Sequence, residues 1–376
     1  MDIVSRLGES TIEKWLFKGK VIVVTGARQV GKTTMLQHIF SKGENILWLN
    51  ADDSAVRERL SNQNVESLKG IVGNYQIIVI DEIQRLKNAG LLLKLFVDNF
   101  KDRQFIATGS SALDISETIF EPLTGRHLLF HLYPFSLTEI YSGKSDFELE
   151  QILPFHLVFG SYPDVYNHKR DAEVLLKNLS NQYLYKDVLA WKDIRKPELL
   201  DKLLKLLALQ ICSEVSINEL ANQLRVKSET IESYISLLEK SFVIYRLRSY
   251  STNERKEVSK MAKIYFWDNG IRNAVIDNYS SIDLRNDVGQ LWENFIISER
   301  IKVNTWLSPN TKSYFWRNYN QSEVDYVELN QNKLEAFEIK WNSKKSHTVS
   351  KAFTNSYPKA TTNIITPKSI SSFCRM

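Results

Sequence analysis

Val21-Ile-Val-Val-Thr-Gly-Ala-Arg-Gln-Val-Gly-Lys-Thr-Thr-Met-Leu36 is the stretch from which the fold is read. Val21 to Val24 is an unbroken β-branched run, as a strand covered on both faces requires. Gly26, Gly31, Lys32 and Thr33 follow in the spacing G-x-x-x-x-G-K-T, and Met35, Leu36, Ile39 and Phe40 then recur at helical spacing. Strand, glycine-bounded loop and helix in this order make a phosphate-binding loop. Consecutive backbone N–H groups must turn inward around a polyphosphate, so glycine is needed where a Cβ would obstruct the turn or the approach. Gly26, Ala27, Arg28, Gln29, Val30, Gly31, Lys32, Thr33 and Thr34 are therefore expected to cradle a polyphosphate. Lys32 would bring a cation to the β/γ-phosphates, and the Thr33 hydroxyl would enter the shell of Mg²⁺.

Working outward, Asn45 to Asn50 reads as a second short strand and Ser54 to Leu68 as a polar helical stretch. Gln76-Ile-Ile-Val-Ile-Asp-Glu-Ile83 reads as a strand ending in two acids. Strands and helices alternating at these lengths predict a doubly wound parallel sheet, whose ligands sit at the carboxyl ends of the strands. Asp81 is then a metal ligand, and Glu82 the group that polarises the water attacking the γ-phosphate. Leu91 to Phe100 is a further amphipathic helix. Gln104 to Ser111 is a fourth strand, with Ser110 at its end placed to meet the γ-phosphate or the attacking water. Arg126, in Leu123-Thr-Gly-Arg-His127, is a candidate for the arginine that stabilises transferred phosphate charge, from the same chain or a neighbouring one; a plain surface arginine is the alternative.

Gly-Ala-Arg-Gln-Val-Gly-Lys-Thr-Thr, Ile-Asp-Glu-Ile-Gln, Ala-Thr-Gly-Ser-Ser, Leu-Thr-Gly-Arg and Tyr-Pro-Phe-Ser-Leu-Thr-Glu-Ile together resemble the prokaryotic AAA+ ATPases of the archaeal-type group. The resemblance extends to Phe159-Gly-Ser-Tyr-Pro-Asp164 and Tyr183-Leu-Tyr-Lys-Asp187, in what would be the helical lid. It implies ATP hydrolysis with Lys32, Thr33, Asp81 and Glu82 in the roles just given. It also implies a C-terminal domain of uncharacterised function behind the ATPase core.

The expected architecture is α/β. A P-loop AAA+ parallel-sheet core spans 1–140, a helical lid 141–196, a winged helix-turn-helix 197–262 and an α/β C-terminal domain 263–376. In the third segment, Ser216 caps one helix and Ser228 opens a second, with Ile231, Ile235 and Leu238 on one face, before a strand at Phe242 to Leu247. Glu229 and Glu232 lie where such a module would meet a phosphate backbone, which favours packing or protein interaction over DNA readout.

Near the C-terminus, Ser322-Glu-Val-Asp-Tyr-Val-Glu-Leu329 and Leu334-Glu-Ala-Phe-Glu-Ile-Lys340 flank the turn Asn330 to Lys333. Centring that turn between Gln331 and Asn332 puts Asp325 opposite Glu338, where like charges repel unless something compensates. A divalent metal between the acids, with Lys340 orienting a water, is what a phosphodiesterase needs. Asp325, Glu338-x-Lys340 and Glu293 on the preceding helix look like the restriction-endonuclease-like fold, with Val324 where such nucleases often carry proline. Glu293, Asp325 and Glu338 are the metal ligands this resemblance implies.

With 376 residues, 43% hydrophobic and 25% charged, the composition suits a soluble globular chain of two or three domains. No apolar run reaches the roughly 18 residues of a membrane span. Cys212 and Cys374 stand outside any C-x-x-C pair. The expected compartment is the cytoplasm, with no membrane partner; a homo-oligomer is compatible with the reading. From Glu338 onward seven basic residues face that single acid, while the whole chain carries only +5. Any nucleic acid partner is expected to meet this C-terminal segment. Two functions are then open: an ATPase controlling a Mg²⁺-dependent nuclease-like domain, or an ATP-driven switch or interaction module whose nuclease-like domain is inactive.

Overall fold

A computed structural model describes residues 3–41, 43, 45–61, 64–110, 121–183, 197–251, 262–342 and 348–375. The chain forms two compact units: residues 1–134 with 240–242, and residues 135–239 with 243–376.

Among the described residues of the first unit, five strands form one sheet: β1 (Val21–Gly26), β2 (Ile46–Asn50), β3 (Ile77–Asp81), β4 (Gln104–Gly109) and β5 (His127–Leu132). Their order is β2-β3-β4-β1-β5, and every adjacent pair is parallel. β1 is buried along its whole length, as its β-branched run demands. Helices Val65–Val72 and Ala89–Asn99 bring Leu68, Val72, Leu92, Leu93 and Phe96 onto Ile78, Ile80 and Phe105. Phe96 stacks on Phe105 with ring centroids 4.6 Å apart. Because the strands run the same way, the ends of β1, β3 and β4 reach one edge together.

Among its described residues the second unit holds a mixed sheet of seven strands: β6 (Glu214–Val215), β7 (Ile244–Ser249), β8 (Ala262–Phe266), β9 (Lys312–Arg317), β10 (Glu323–Asn330), β11 (Lys333–Ile339) and β12 (Thr361–Ile365), in the order β12-β11-β10-β9-β7-β8-β6. The helices expected at 216 and 228 are present as Ile217–Leu224, capped by Ser216, and Ser228–Lys240. The expected division at 262/263 falls inside this sheet, because β7 pairs with β8 on one side and with β9 on the other. The segment expected as a lid also belongs to this unit. Helix Asp146–Phe159 receives Asn269 and Asn273 side-chain hydrogen bonds on its Leu157 and Val158 carbonyls. Within the expected motif at 183–187, residues 184–187 lie outside the described residues.

The 20-residue helix Val288–Leu307 ties the unit together. Asn294 exchanges hydrogen bonds with both the N–H and the carbonyl of Phe266 on β8. Arg300 grips Glu328 on β10 through two 2.7 Å bonds, a bidentate geometry that offsets burial of both charges.

Candidate functional site

Each glycine of the phosphate-binding loop answers a physical demand. A Cβ on Gly26 would collide with the Leu132 carbonyl on β5, and Gly31 adopts φ +92°. Lys32, 6% exposed, donates to the carbonyls of Gly26 and Ala27 at 2.9 Å each, so its ammonium lies inside the loop. Arg6 braces the loop from behind, donating to the carbonyls of Val30 at 2.8 Å and Tyr133 at 2.6 Å. Arg6 lies well upstream of the motif, and no spacing rule announces it.

Asp81 arrives at the same edge from β3. The Thr33 hydroxyl donates to its Oδ2 at 2.7 Å, and the Thr108 hydroxyl donates to Oδ1. A hydroxyl and a carboxylate converging from two elements are the hard oxygen donors that Mg²⁺ takes. Glu82 sits at φ +54°, an uncommon conformation for a residue with a Cβ and one that collects at functional sites. Its N–H is held 3.2 Å from Asp81 Oδ1 and 3.3 Å from Thr108 Oγ1. Its carboxylate accepts from Gln84 Nε2, which also donates to Ser110 Oγ at 3.0 Å. The sequence reading brought Ser110 here but passed over Thr108 and Gln84; Thr108 lies two residues before Ser110, at the strand period that puts both on one face.

Arg126 does not join these residues, and its expected role within the same chain is corrected. It directly precedes His127, which pairs with Val21 at the amino end of β1, and its own carbonyl accepts from the Val21 N–H. That is the opposite edge of the sheet, about 20 Å from the loop at roughly 3.3 Å per strand residue. There it pairs with Asp98 at 2.7 Å.

In the second unit the hairpin register is the expected one. Tyr326 pairs with Phe337 and Val327 with Ala336, so Asp325 comes next to Glu338. Lys340 Nζ lies 3.0 Å from Asp325 Oδ2 and 2.9 Å from Glu338 Oε1, and the Ile339 N–H donates to Asp325 at 2.8 Å. Burial, and then the Asp325 charge, push the Glu338 carboxyl up; its Oε2 is buried without a hydrogen-bond partner among the described residues. Burial works against the Lys340 ammonium, but Asp325 and Glu338 outweigh it and raise its pKa. A bulge on β10 between Val324 and Val327 inserts a residue beside Asp325, so that both valines, three apart, pack the same cluster with Trp316, Ala336 and Phe353.

Glu293 occupies different company from that expected. It accepts from Tyr265 Oη at 2.7 Å and faces Lys263 at 3.4 Å. Burial, with Asp325 nearby, pushes its carboxyl up to about 7 against the opposing pull of Lys263. Lys263, almost fully buried, also pairs with Glu323, a partner two residues before Asp325 that the sequence reading overlooked. Among the described residues no three carboxylate, imidazole or thiol side chains converge as a metal set, so the expected trio Glu293, Asp325 and Glu338 is not assembled as such. Two lysines have entered the carboxylate cluster and neutralise part of it. Lys344 and Lys345 of the basic segment lie outside the described residues, and Lys340 is committed to this cluster.

A parallel sheet with a phosphate-binding loop after its first strand and an Asp-Glu pair at the same edge is the arrangement of a P-loop nucleotide-binding domain. Residues 18–141 match the family described as an AAA domain. Residues 150–281 and 288–370 each match a domain of unknown function (DUF8612 and DUF4143). An uncharacterized protein of Mycobacterium tuberculosis is 28% identical over 346 residues, covering 90% of this chain and 74% of that protein. One from Methanocaldococcus jannaschii is 27% identical over 352 residues, covering 86% and 75%. Among solved structures, a Walker-type ATPase of Pyrococcus abyssi is similar at 16% identity and a TM-score of 0.46, over 73% of this chain and 96% of that one. Among the described residues no helix is long and apolar enough to cross a membrane.

Proposed function

We propose that the chain hydrolyses ATP at the edge formed by Gly26 to Thr34, Asp81, Glu82 and Ser110. The observation that carries this reading is the Thr33–Asp81 contact at 2.7 Å beside the loop that encloses Lys32. Thr33 and Asp81 would hold Mg²⁺, which when bound neutralises charge on the β- and γ-phosphates. Lys32 exchanges its loop carbonyls for phosphate oxygens, Glu82 takes the proton of the attacking water, and Ser110 meets the γ-phosphate. Lys32→Ala should abolish binding of a fluorescent ATP analogue. Glu82→Gln should bind it normally while hydrolysing it more slowly by about a hundredfold or more; full turnover by Glu82→Gln would overturn the assignment.

For the second unit the proposed role is Mg²⁺-dependent cleavage of a nucleic acid phosphodiester at Asp325, Glu338 and Lys340, governed by the nucleotide state of the first unit. The register that sets Asp325 beside Glu338 supports it, as does the buried, unpartnered Glu338 Oε2, which fits a divalent cation. Arg126, if it acts in hydrolysis, does so from a neighbouring copy in an oligomer, and the expected compartment remains the cytoplasm. A second reading, an ATP-driven switch whose nuclease-like domain is inactive, draws on the Lys340 ammonium lying across both carboxylates. Nicking of supercoiled plasmid with Mg²⁺ or Mn²⁺, lost in Asp325→Ala while ATP hydrolysis persists, supports cleavage. A wild-type chain that cuts neither DNA nor RNA under any metal or nucleotide condition favours the switch.

A further inference from the structure

Gln84 lies in the 3₁₀ turn Ile83–Arg85 that follows the two acids. Its Nε2 makes both of the contacts given above, to Glu82 Oε2 and to Ser110 Oγ. One planar amide therefore links the proposed base at the end of β3 to the hydroxyl at the end of β4. The other end of the amide, Oε1, is buried and has no hydrogen-bond partner among the described residues. Turning the amide over would face that oxygen against the Glu82 carboxylate, so repulsion dictates the orientation seen. A buried acceptor left unmade and a base at φ +54° are two separate local costs within three residues. A turn residue serving only to end a strand has no reason to incur the first.

We propose that Gln84 is a positioning residue for ATP hydrolysis. Its carboxamide clamps the Glu82 carboxylate to the Ser110 hydroxyl, so the aim of the base is set by the end of β4, where the γ-phosphate is met. Gln84 itself exchanges no proton. The attacking water gives its proton to Glu82, its oxygen bonds to the γ-phosphorus, and the bridging oxygen leaves on ADP with the bonding electrons. The proposal rests on reading the first unit as a hydrolytic ATPase.

The test is single-turnover ATP hydrolysis by the full chain in excess over nucleotide, alongside equilibrium binding of a fluorescent ATP analogue. Gln84→Ala should slow hydrolysis by about tenfold or more, the scale of a misaimed catalytic group, with the dissociation constant changed by less than about twofold. In a Glu82→Gln background the same substitution should change the rate by less than about twofold, because residues acting as a unit are non-additive. Gln84→Glu keeps the side chain's size but sets a second carboxylate against Glu82, and should show the same slowing. The proposal falls if Gln84→Ala or Gln84→Glu hydrolyses at the wild-type rate, or if Gln84→Ala slows both backgrounds by the same factor. If Glu82→Gln alone hydrolyses normally, the hydrolytic reading fails first, which separates the two failures.

Discussion

Thr108 shows how one hydroxyl completes the hydrogen bonding of Asp81, the acid proposed to hold Mg²⁺. Asp81 has two carboxylate oxygens, and the structure satisfies one from Thr33 and the other from Thr108. Thr108 also accepts the N–H of Glu82, so it steadies both acids from the neighbouring strand. Thr108→Val preserves shape and burial but withdraws a hydrogen bond to a charged group, a loss on the order of 1.5–3 kcal/mol. The expected result is an ATPase needing about tenfold more Mg²⁺ for half-maximal rate, read from a Mg²⁺ titration at fixed ATP. An unchanged titration would remove Thr108 from the site. Sequence reading reached Asp81, Glu82 and Ser110 because acids and hydroxyls at strand ends carry a known logic. Thr108 escaped it because a threonine inside an apolar strand looks like an ordinary β-former.

At the scale of the element, the β10–β11 hairpin was the most legible part of the second unit. A two-residue loop between Asn330 and Lys333 fixes the pairing, and the pairing fixes which side chains meet across the strands. The loop has one local flaw: Gln331 adopts φ +53°, a region where a Cβ is strained. Gln331→Gly should raise the stability of the second unit by about 0.5–1 kcal/mol, and Gln331→Val should lower it by at least as much. Urea unfolding followed by Trp fluorescence measures both, and a destabilising glycine would contradict the turn geometry. What the pattern could not reveal was Lys263 entering from β8 to meet Glu293 and Glu323. Pattern arguments see one strand pair at a time, whereas these contacts depend on strands far apart in the chain.

At the scale of the whole molecule, expected boundaries and observed units differ because sheets ignore sequence order. β7 joins β8 and β9 in one sheet, so the helices at 217–240 and the C-terminal strands share a unit. The motif Phe159-Gly-Ser-Tyr-Pro-Asp164, read as part of a lid, packs inside it: Ser161 N–H donates to the buried Asp268 carboxylate at 2.7 Å. Beside it His156, wholly buried, lies 2.9 Å from Ser161 Oγ. Burial first, with Lys169 and Lys302 adding, lowers its pKa to about 3, against a partial opposing effect of the Gly160 carbonyl. Between about pH 6.5 and 3 the unfolded chain binds a proton there that the native unit refuses. This group's contribution is therefore present above pH 6.5 and lost as pH falls, by about 1 kcal/mol at pH 5.5. His156→Gln should flatten that part of the acid limb in urea midpoints taken at pH 7.5 and 5.5; identical slopes would show that His156 is not held neutral.

By itself the sequence determined the phosphate-binding loop, the acid pair and the register of the C-terminal hairpin. Each is written in residues close along the chain, where dihedral limits, strand alternation and turn length act directly. Tertiary structure alone decided that Arg126 lies at the far edge of the first sheet, that the lid segment and both later segments form one unit, and that Lys263 joins the carboxylates of Glu293 and Glu323. Those outcomes depend on which strands become neighbours, and strand order is a property of long-range burial and pairing that local spacing does not encode.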